Sequence, residues 1–99
     1  MNKIKENVLK EYVDAYAYGV MYDKILHQDK VKLSDADKSY YQEKYYTHLS
    51  VVNAMLRCLG ERDQRTCVPD KREEAVKSGN EMFNRWLHNN LSATQQEGA

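Results

Sequence analysis

Residues 34–60, SDADKSYYQEKYYTHLSVVNAMLRCLG, carry both a helix start signal and a helix stop signal. Ser34 is a favoured N-cap residue, because its hydroxyl can accept a hydrogen bond from a free amide of the first turn. Asp37, three residues later, occupies the capping-box position. At the other end, Gly60 is predicted to adopt the left-handed conformation that terminates many helices. The sequence therefore predicts a helix over residues 35–59.

The apolar face of this helix is wider than one neighbouring helix would cover. At about 100° per residue, one stripe along the helix holds Tyr41, Tyr45, His48, Val52, Met55, Leu56 and Leu59. A flank of Tyr40, Val51 and Cys58 extends the stripe toward half of the circumference, whereas Tyr46 falls on the opposite side and should be exposed. Such a helix either lies between two others or keeps apolar surface for a partner.

The preceding segment predicts another long helix, over residues 3–27. One side of it holds Val8, Leu9, Tyr12, Ala15, Tyr16, Gly19 and Leu26. Gly19 costs about 1 kcal/mol of helix propensity relative to alanine, so we expect a neighbouring backbone or ring to approach it closely. Tyr18, Met21 and Ile25 follow an i, i+3, i+7 spacing on a different face. That face is predicted either to lie under a third helix or to bind another protein.

Residues 60–70, GERDQRTCVPD, interrupt the helical periodicity and contain the one proline of the chain, Pro69. They predict an irregular loop that is longer than most helix connections. The loop also contains Arg62 and Arg65, and arginine is common among the residues that dominate binding interfaces. The segment is therefore predicted either as a solvated connector or as a contact loop.

A third helix is predicted over residues 71–91. Asp70 and Glu73 form a capping box at its start. Its apolar face holds Ala75, Val76, Gly79, Met82, Phe83, Trp86, Leu87 and Asn90. Residues 92–99, SATQQEGA, contain no apolar anchor and predict a disordered tail.

Together these segments predict an all-α fold in a single domain over residues 1–91, because a chain of 99 residues can bury one modest core. We expect a three-helix bundle in which the first two helices form an antiparallel hairpin and the C-terminal helix returns across them. The alternative is a two-helix hairpin whose third helix packs on a partner or on a symmetry-related copy.

Charge and motifs narrow the classes of function. Fifteen basic and fifteen acidic residues cancel, and no basic stripe is available to neutralise phosphates, so direct nucleic-acid binding is not expected. The N-terminus lacks a signal peptide and no transmembrane run is present, which favours a cytoplasmic protein. Cys58 and Cys67 then predict free thiols, although an oxidising compartment would let them bridge. Their spacing does not suit zinc, and no catalytic or cofactor-binding motif is found.

Tyrosine is unusually frequent, with eight residues against a single phenylalanine. Tyrosine suits positions where one end of the ring is buried and the hydroxyl is wet. Four of the eight (Tyr12, Tyr16, Tyr41 and Tyr45) are predicted to rim the core with their hydroxyls in water. The other four (Tyr18, Tyr22, Tyr40 and Tyr46) cannot all be interior, and some of them are predicted to contact a partner.

These observations predict a small non-enzymatic adaptor or modulator that binds a larger protein, such as a host enzyme or complex. Motif-free helical chains of this size are common among phage and mobile-element accessory proteins. The predicted contact residues are Tyr18, Met21, Tyr22, Ile25, Tyr40, Tyr46, Arg62, Arg65 and Pro69. Neither a cofactor nor a membrane is expected. The alternatives are a self-associating structural protein and a nucleic-acid regulator that uses the third helix.

Overall fold

The computed structural model describes the backbone of residues 3–98 and the side chains of residues 3–92. This part of the chain forms four helices and contains no β-strand. The helices are α1 (Lys3–His27), α2 (Asp35–Cys58), α3 (Glu61–Thr66) and α4 (Val68–Gly98). The all-α fold that the sequence predicts is therefore confirmed.

Helix α2 begins as its capping signal predicts and ends differently from the prediction. The Ser34 hydroxyl oxygen accepts a hydrogen bond of 3.1 Å from the Asp37 amide. At the C-terminus, the Leu59 amide donates to the carbonyl oxygens of Met55 and Leu56, and Leu59 itself is extended. The predicted left-handed conformation of Gly60 is wrong: its φ of −72° and ψ of 164° place it just before α3. The extended Leu59 already turns the chain, so no left-handed residue is needed.

The predicted irregular loop contains a short helix, α3, which contradicts the sequence prediction. The Gln64 side-chain amide explains why this segment folds against the end of α2. Its Nε2 donates to the carbonyl oxygens of Leu56 at 2.8 Å and Leu59 at 3.3 Å. The last carbonyl oxygens of a helix lack the usual amide donor of the next turn, and Gln64 supplies a side-chain donor to these two.

Helix α4 begins at Val68, three residues earlier than predicted. Pro69 lies in its first turn, where a missing amide hydrogen costs nothing, and the Val68–Pro69 peptide bond is trans. Asp70 is consequently an acidic residue of the first turn rather than the N-cap. At the other end α4 runs to Gly98, so the predicted disordered tail is not confirmed; the side chains of residues 93–98 and all of residue 99 lie outside the described part.

Helix α1 lies between α2 and α4 and packs extensively against both, whereas α2 and α4 touch each other much less. The α1–α2 pair is antiparallel, because Tyr22 contacts Tyr41 near one end while Leu9 shares a cluster with Leu59 near the other. The sequence alone suggested α2 as the helix most in need of two neighbours. The structure gives that place to α1.

The main core cluster joins α1, α2 and the start of α4, and its buried members are Leu9, Tyr12, Ala15, Val52, Leu59 and Val68. The Tyr12 ring is fully buried, so the prediction that its hydroxyl reaches water is wrong. That hydroxyl instead accepts a hydrogen bond of 3.4 Å from Nε of Arg72 on α4. The bond supplies the partner that a buried tyrosine hydroxyl requires.

Small residues bring α1 and α4 close together. Ala17 on α1 and Ala75 and Gly79 on α4 are buried. A Cβ atom on Gly79 would lie 2.6 Å from the Ala17 carbonyl oxygen and 2.6 Å from Cβ of Val20. Only a glycine permits this approach without displacing the α1 backbone.

Two predictions for the apolar faces are wrong. Nothing lies within 4 Å of a Cβ atom built on Gly19, so the close neighbour expected there is absent from the described chain. Val76, predicted on the covered face of the third helix, is 37% exposed. Other members of the same predicted faces, Leu9 and Ala15 on α1 and Ala75 on α4, are buried, so the two positions lie where a neighbouring helix leaves the face partly uncovered.

Both cysteines are free thiols, as the sequence predicts. Cys58 is exposed at the end of α2, and Cys67 is half-buried between α3 and α4. Across the residues that the structure describes, no helix combines the length and the apolar character needed to cross a bilayer.

Gly19 and Gly79, in the middle of α1 and α4, give opposite predictions for substitution by alanine. Gly79→Ala forces a methyl group against the Ala17 backbone and should lower the free energy of unfolding by about 1–3 kcal/mol. Gly19→Ala meets open space and should raise it by about 0.5–1 kcal/mol through helix propensity. Urea denaturation followed by circular dichroism measures both. Equal shifts of the same sign would contradict the α1–α4 crossing.

Candidate functional site

A continuous group of aromatic rings crosses α1, α2 and α4. We call it the aromatic patch, and it comprises Tyr18, Tyr22, Tyr40, Tyr41, His48, Phe83 and Trp86. Residues three, four or seven apart on a helix share a face, which explains why these rings meet. Tyr18 and Tyr22 are four apart on α1, Tyr41 and His48 seven apart on α2, and Phe83 and Trp86 three apart on α4.

On the α1 side, the His48 ring stacks against two tyrosines. Its centroid lies 5.1 Å from that of Tyr18 and 5.7 Å from that of Tyr22, with interplanar angles of 22° and 23°. Tyr18 and Tyr22 are themselves stacked at 6.3 Å. The three rings therefore form one nearly parallel set between α1 and α2.

Tyr41 connects this set to α4. Its ring lies 5.9 Å from Tyr22 and meets Trp86 edge-on, at 6.0 Å and 90°. The Trp86 indole nitrogen also donates a hydrogen bond of 3.1 Å to the Tyr41 hydroxyl. Edge-to-face aromatic pairs contribute about 0.5–1.5 kcal/mol beyond the area they bury. These contacts hold the three helices in a fixed relation at the patch.

Two lysines place positive charge beside the rings. Nζ of Lys24 lies 5.8 Å from the centroid of Phe83, and Nζ of Lys44 lies 5.5 Å from the centroid of Tyr40. Both distances fall within the range of a cation–π interaction. The patch is therefore aromatic at its centre and basic at two points of its margin.

Burial shifts the pKa values of two rings of the patch in the direction that favours the uncharged form. Burial first, and the nearby Lys44 ammonium second, lower the pKa of His48 below its ordinary value of 6.5. Burial first, and then the phenols of Tyr40, Tyr18 and Tyr41, raise the pKa of Tyr22 above its ordinary value of 10.0. Both shifts therefore favour the neutral form, of His48 in one case and of Tyr22 in the other.

The structure brings three of the predicted contact residues together and leaves part of their surface exposed. Tyr18 is 42% exposed and Tyr40 is 53% exposed, while Tyr22 between them is half-buried. Met21, also predicted, is half-buried. The prediction for Ile25 is wrong: it is fully buried, because α1 is enclosed between α2 and α4.

The remaining predicted contact residues lie elsewhere. Tyr46 is 60% exposed, packs edge-on against Tyr45 and does not join the patch. The exposed side chains Arg62, Arg65 and Pro69 lie near the start of α1, to which α3 is tied by a 2.8 Å ion pair between Lys5 and Asp63. Tyr18 is thirteen residues beyond Lys5, or about 20 Å along the helix. The patch and the arginine segment are therefore separate surfaces.

The sequence places His48, Phe83 and Trp86 on apolar faces of the core and Tyr41 at its rim, and so their part in a surface was not predicted. All four are half-buried. Their positions on the apolar stripes were correct, but a stripe does not show where the neighbouring helix stops covering it. One signal in the sequence could have indicated the patch: each of the three long helices carries aromatic residues on its apolar stripe, and such rings can meet where the helices pack together.

No family model, curated protein or solved structure matches this chain significantly. Its function is therefore inferred from the contacts, exposure and charge of its own residues. The aromatic patch can bury rings and place charge beside a partner.

The His48 environment predicts a histidine that resists protonation. We expect its pKa, measured by NMR titration of the ring proton, to lie below 6.5 and to rise when Lys44→Met removes the neighbouring charge. The Lys38→Met variant, altered six residues earlier on α2, is the matched control. A pKa above 6.5 in the native chain would contradict the stacked geometry.

The same shift fixes the sign of a pH effect on stability. In the unfolded chain His48 takes up a proton near pH 6.5, whereas in the folded chain it does so only at lower pH. Between these two pKa values the unfolded state therefore binds more protons than the folded state. The free energy of unfolding consequently falls as the pH drops below 6.5. In the His48→Gln variant the free energy of unfolding, measured by urea denaturation at a series of pH values below 6.5, should fall less than in the native chain.

Proposed function

We propose that the chain is a non-enzymatic adaptor or modulator that docks on a larger protein through the aromatic patch. The observation that carries the proposal is the run of seven rings from three helices, in which Tyr18 and Tyr40 keep about half of their surface in water. Tyrosine and tryptophan are the residues most enriched at the centres of protein interfaces.

Physical chemistry favours these rings as contacts. A tyrosine hydroxyl lets the ring face water in the free protein, and the ring still contributes a large apolar area when a partner covers it. The patch side chains are already held by their mutual stacking, so binding orders few additional rotamers. The matching partner surface is an apolar groove with acidic residues near Lys24 and Lys44.

The proposal also covers the class of partner, a second contact surface and the extent of the domain. The partner is a larger enzyme or complex in the cytoplasm, of the kind that phage and mobile-element accessory proteins act on. Arg62, Arg65 and Pro69 form a second contact on the other end of the molecule. The proposal also retains a three-helix domain over residues 1–91, with residues 92–99 as a tail that takes no part in docking.

Site-specific cross-linking tests the docking surface. A benzoylphenylalanine in place of Tyr40 should form a covalent adduct with one larger protein in an extract of the native host cell. The same photoreactive residue in place of Val76, which is 37% exposed on α4, is the matched control and should form none. An adduct with a second copy of the chain would favour the self-associating alternative, and light scattering would then show a dimer.

The affinity for the captured partner measures how much the aromatic patch contributes to binding. Tyr18→Ser combined with Tyr40→Ser should weaken binding about 30-fold or more, because each removes an interface ring. Val76→Ser should leave binding unchanged. The Ile25→Ser substitution is unsuitable, since Ile25 is fully buried and its loss would test folding. Equal binding by native and double-variant chains would rule out the patch.

A further inference from the structure

A recess lies between α1 and α2, on a different side of α1 from the aromatic patch. Gly19 and Asp23, which line it, each follow a patch tyrosine (Tyr18 and Tyr22) by one residue, and one residue corresponds to a rotation of about 100° around the helix. The recess has a volume of about 190 Å³ and is open on one side. We call it the Gly19 groove, and it is lined by Tyr16, Gly19, Val20, Asp23, Tyr45, Leu49 and Val52.

The absence of a side chain at Gly19 contributes to this recess. Neither of the usual reasons for a helical glycine applies, because its φ is not positive and nothing lies within 4 Å of a Cβ atom built there. Gly79 differs, since the α1 backbone occupies the equivalent space. Glycine in a helix interior has a cost in stability that no packing of Gly19 in the described chain offsets. The recess is thus space left for something outside the chain.

The lining of the groove indicates the chemistry of its occupant. Among the described residues that line it, Asp23 is the one that carries a charge. Its carboxylate is half-exposed, and its observed contact is with Nδ1 of His27 at 3.3 Å. The lining also contains two tyrosines, Tyr16 and Tyr45, and the apolar residues Leu49 and Val52. The matching group has an apolar stem and a flat cationic head.

We propose that the Gly19 groove binds an arginine side chain of a partner protein. A guanidinium stacks on tyrosine rings and pairs with a carboxylate through two parallel hydrogen bonds, which an ammonium cannot do. The size is suitable, because a cavity of about 150 Å³ holds a benzene ring. The exposed Leu49 side chain in the lining favours a protein chain over a free metabolite, because a partner's neighbouring side chains would cover it.

This site is independent of the aromatic patch, so its test does not depend on the proposed function. The probe is N-acetyl-arginine amide, in which both ends are blocked as in a protein. The titration is done at about pH 7.5, where an unperturbed histidine is mostly neutral. We expect saturable NMR shifts of the Leu49 and Val52 methyl groups, with a dissociation constant of the order of 1 mM, as suits a single side chain.

Four comparisons decide the outcome. N-acetyl-citrulline amide has the same shape without the charge and should bind about tenfold more weakly or not at all. Asp23→Asn should weaken the arginine probe by about the same factor, and Gly19→Phe should abolish binding by filling the recess. Free arginine should bind no better than the blocked probe.

The first comparison uses the native chain, so the proposal stays testable even if a variant fails to fold. Equal shifts with the arginine and citrulline probes, the absence of saturable shifts at Leu49 and Val52, or binding of free arginine alone would each overturn the proposal.

Discussion

The close crossing of α1 and α4 at Gly79 is the contact on which the rest of the structure depends. A glycine there lets the Ala17 backbone lie where a side chain would otherwise stand. The long C-terminal helix can then pack against α1 along much of its length. As a result, Ala17 and Ile25 are buried, and Arg72 reaches the buried hydroxyl of Tyr12. Helix α1, covered from two sides, becomes the middle of the domain.

Both candidate binding surfaces follow from that arrangement. Because α4 packs on α1, the wide apolar face of α2 has one extensive neighbour, and its edges stay near the surface. One edge carries Tyr40, Tyr41 and His48, which join rings from α1 and α4 in the aromatic patch. The other edge carries Tyr45 and Leu49, which form one wall of the Gly19 groove. The excess of tyrosine reflects these half-covered edges, where a ring needs both apolar contact and water.

Local signals predicted local structure well, and tertiary contacts account for what they missed. The bounds of α1 and the Ser34 cap depend on periodicity and on one side chain, so the sequence predicts both. The burial of Ile25 and the different roles of Gly19 and Gly79 depend on where α4 crosses α1, which no single helical wheel contains. Three of the four tyrosines of the patch, Tyr18, Tyr22 and Tyr40, were predicted as contact residues from the excess of tyrosine. Their ring partners were not, because a buried stripe and a half-covered edge have the same spacing.

The central claim is that α1 is enclosed between α2 and α4 while the patch remains open to water, and chemical footprinting of tyrosines tests it most directly. Under mild nitration, mass spectrometry should find Tyr18, Tyr40 and Tyr46 modified and Tyr12 protected, because the first three are 42%, 53% and 60% exposed and the last is 0% exposed. Reaction of Tyr12 at the rate of Tyr40, or protection of both Tyr18 and Tyr40 in the isolated chain, would contradict this arrangement.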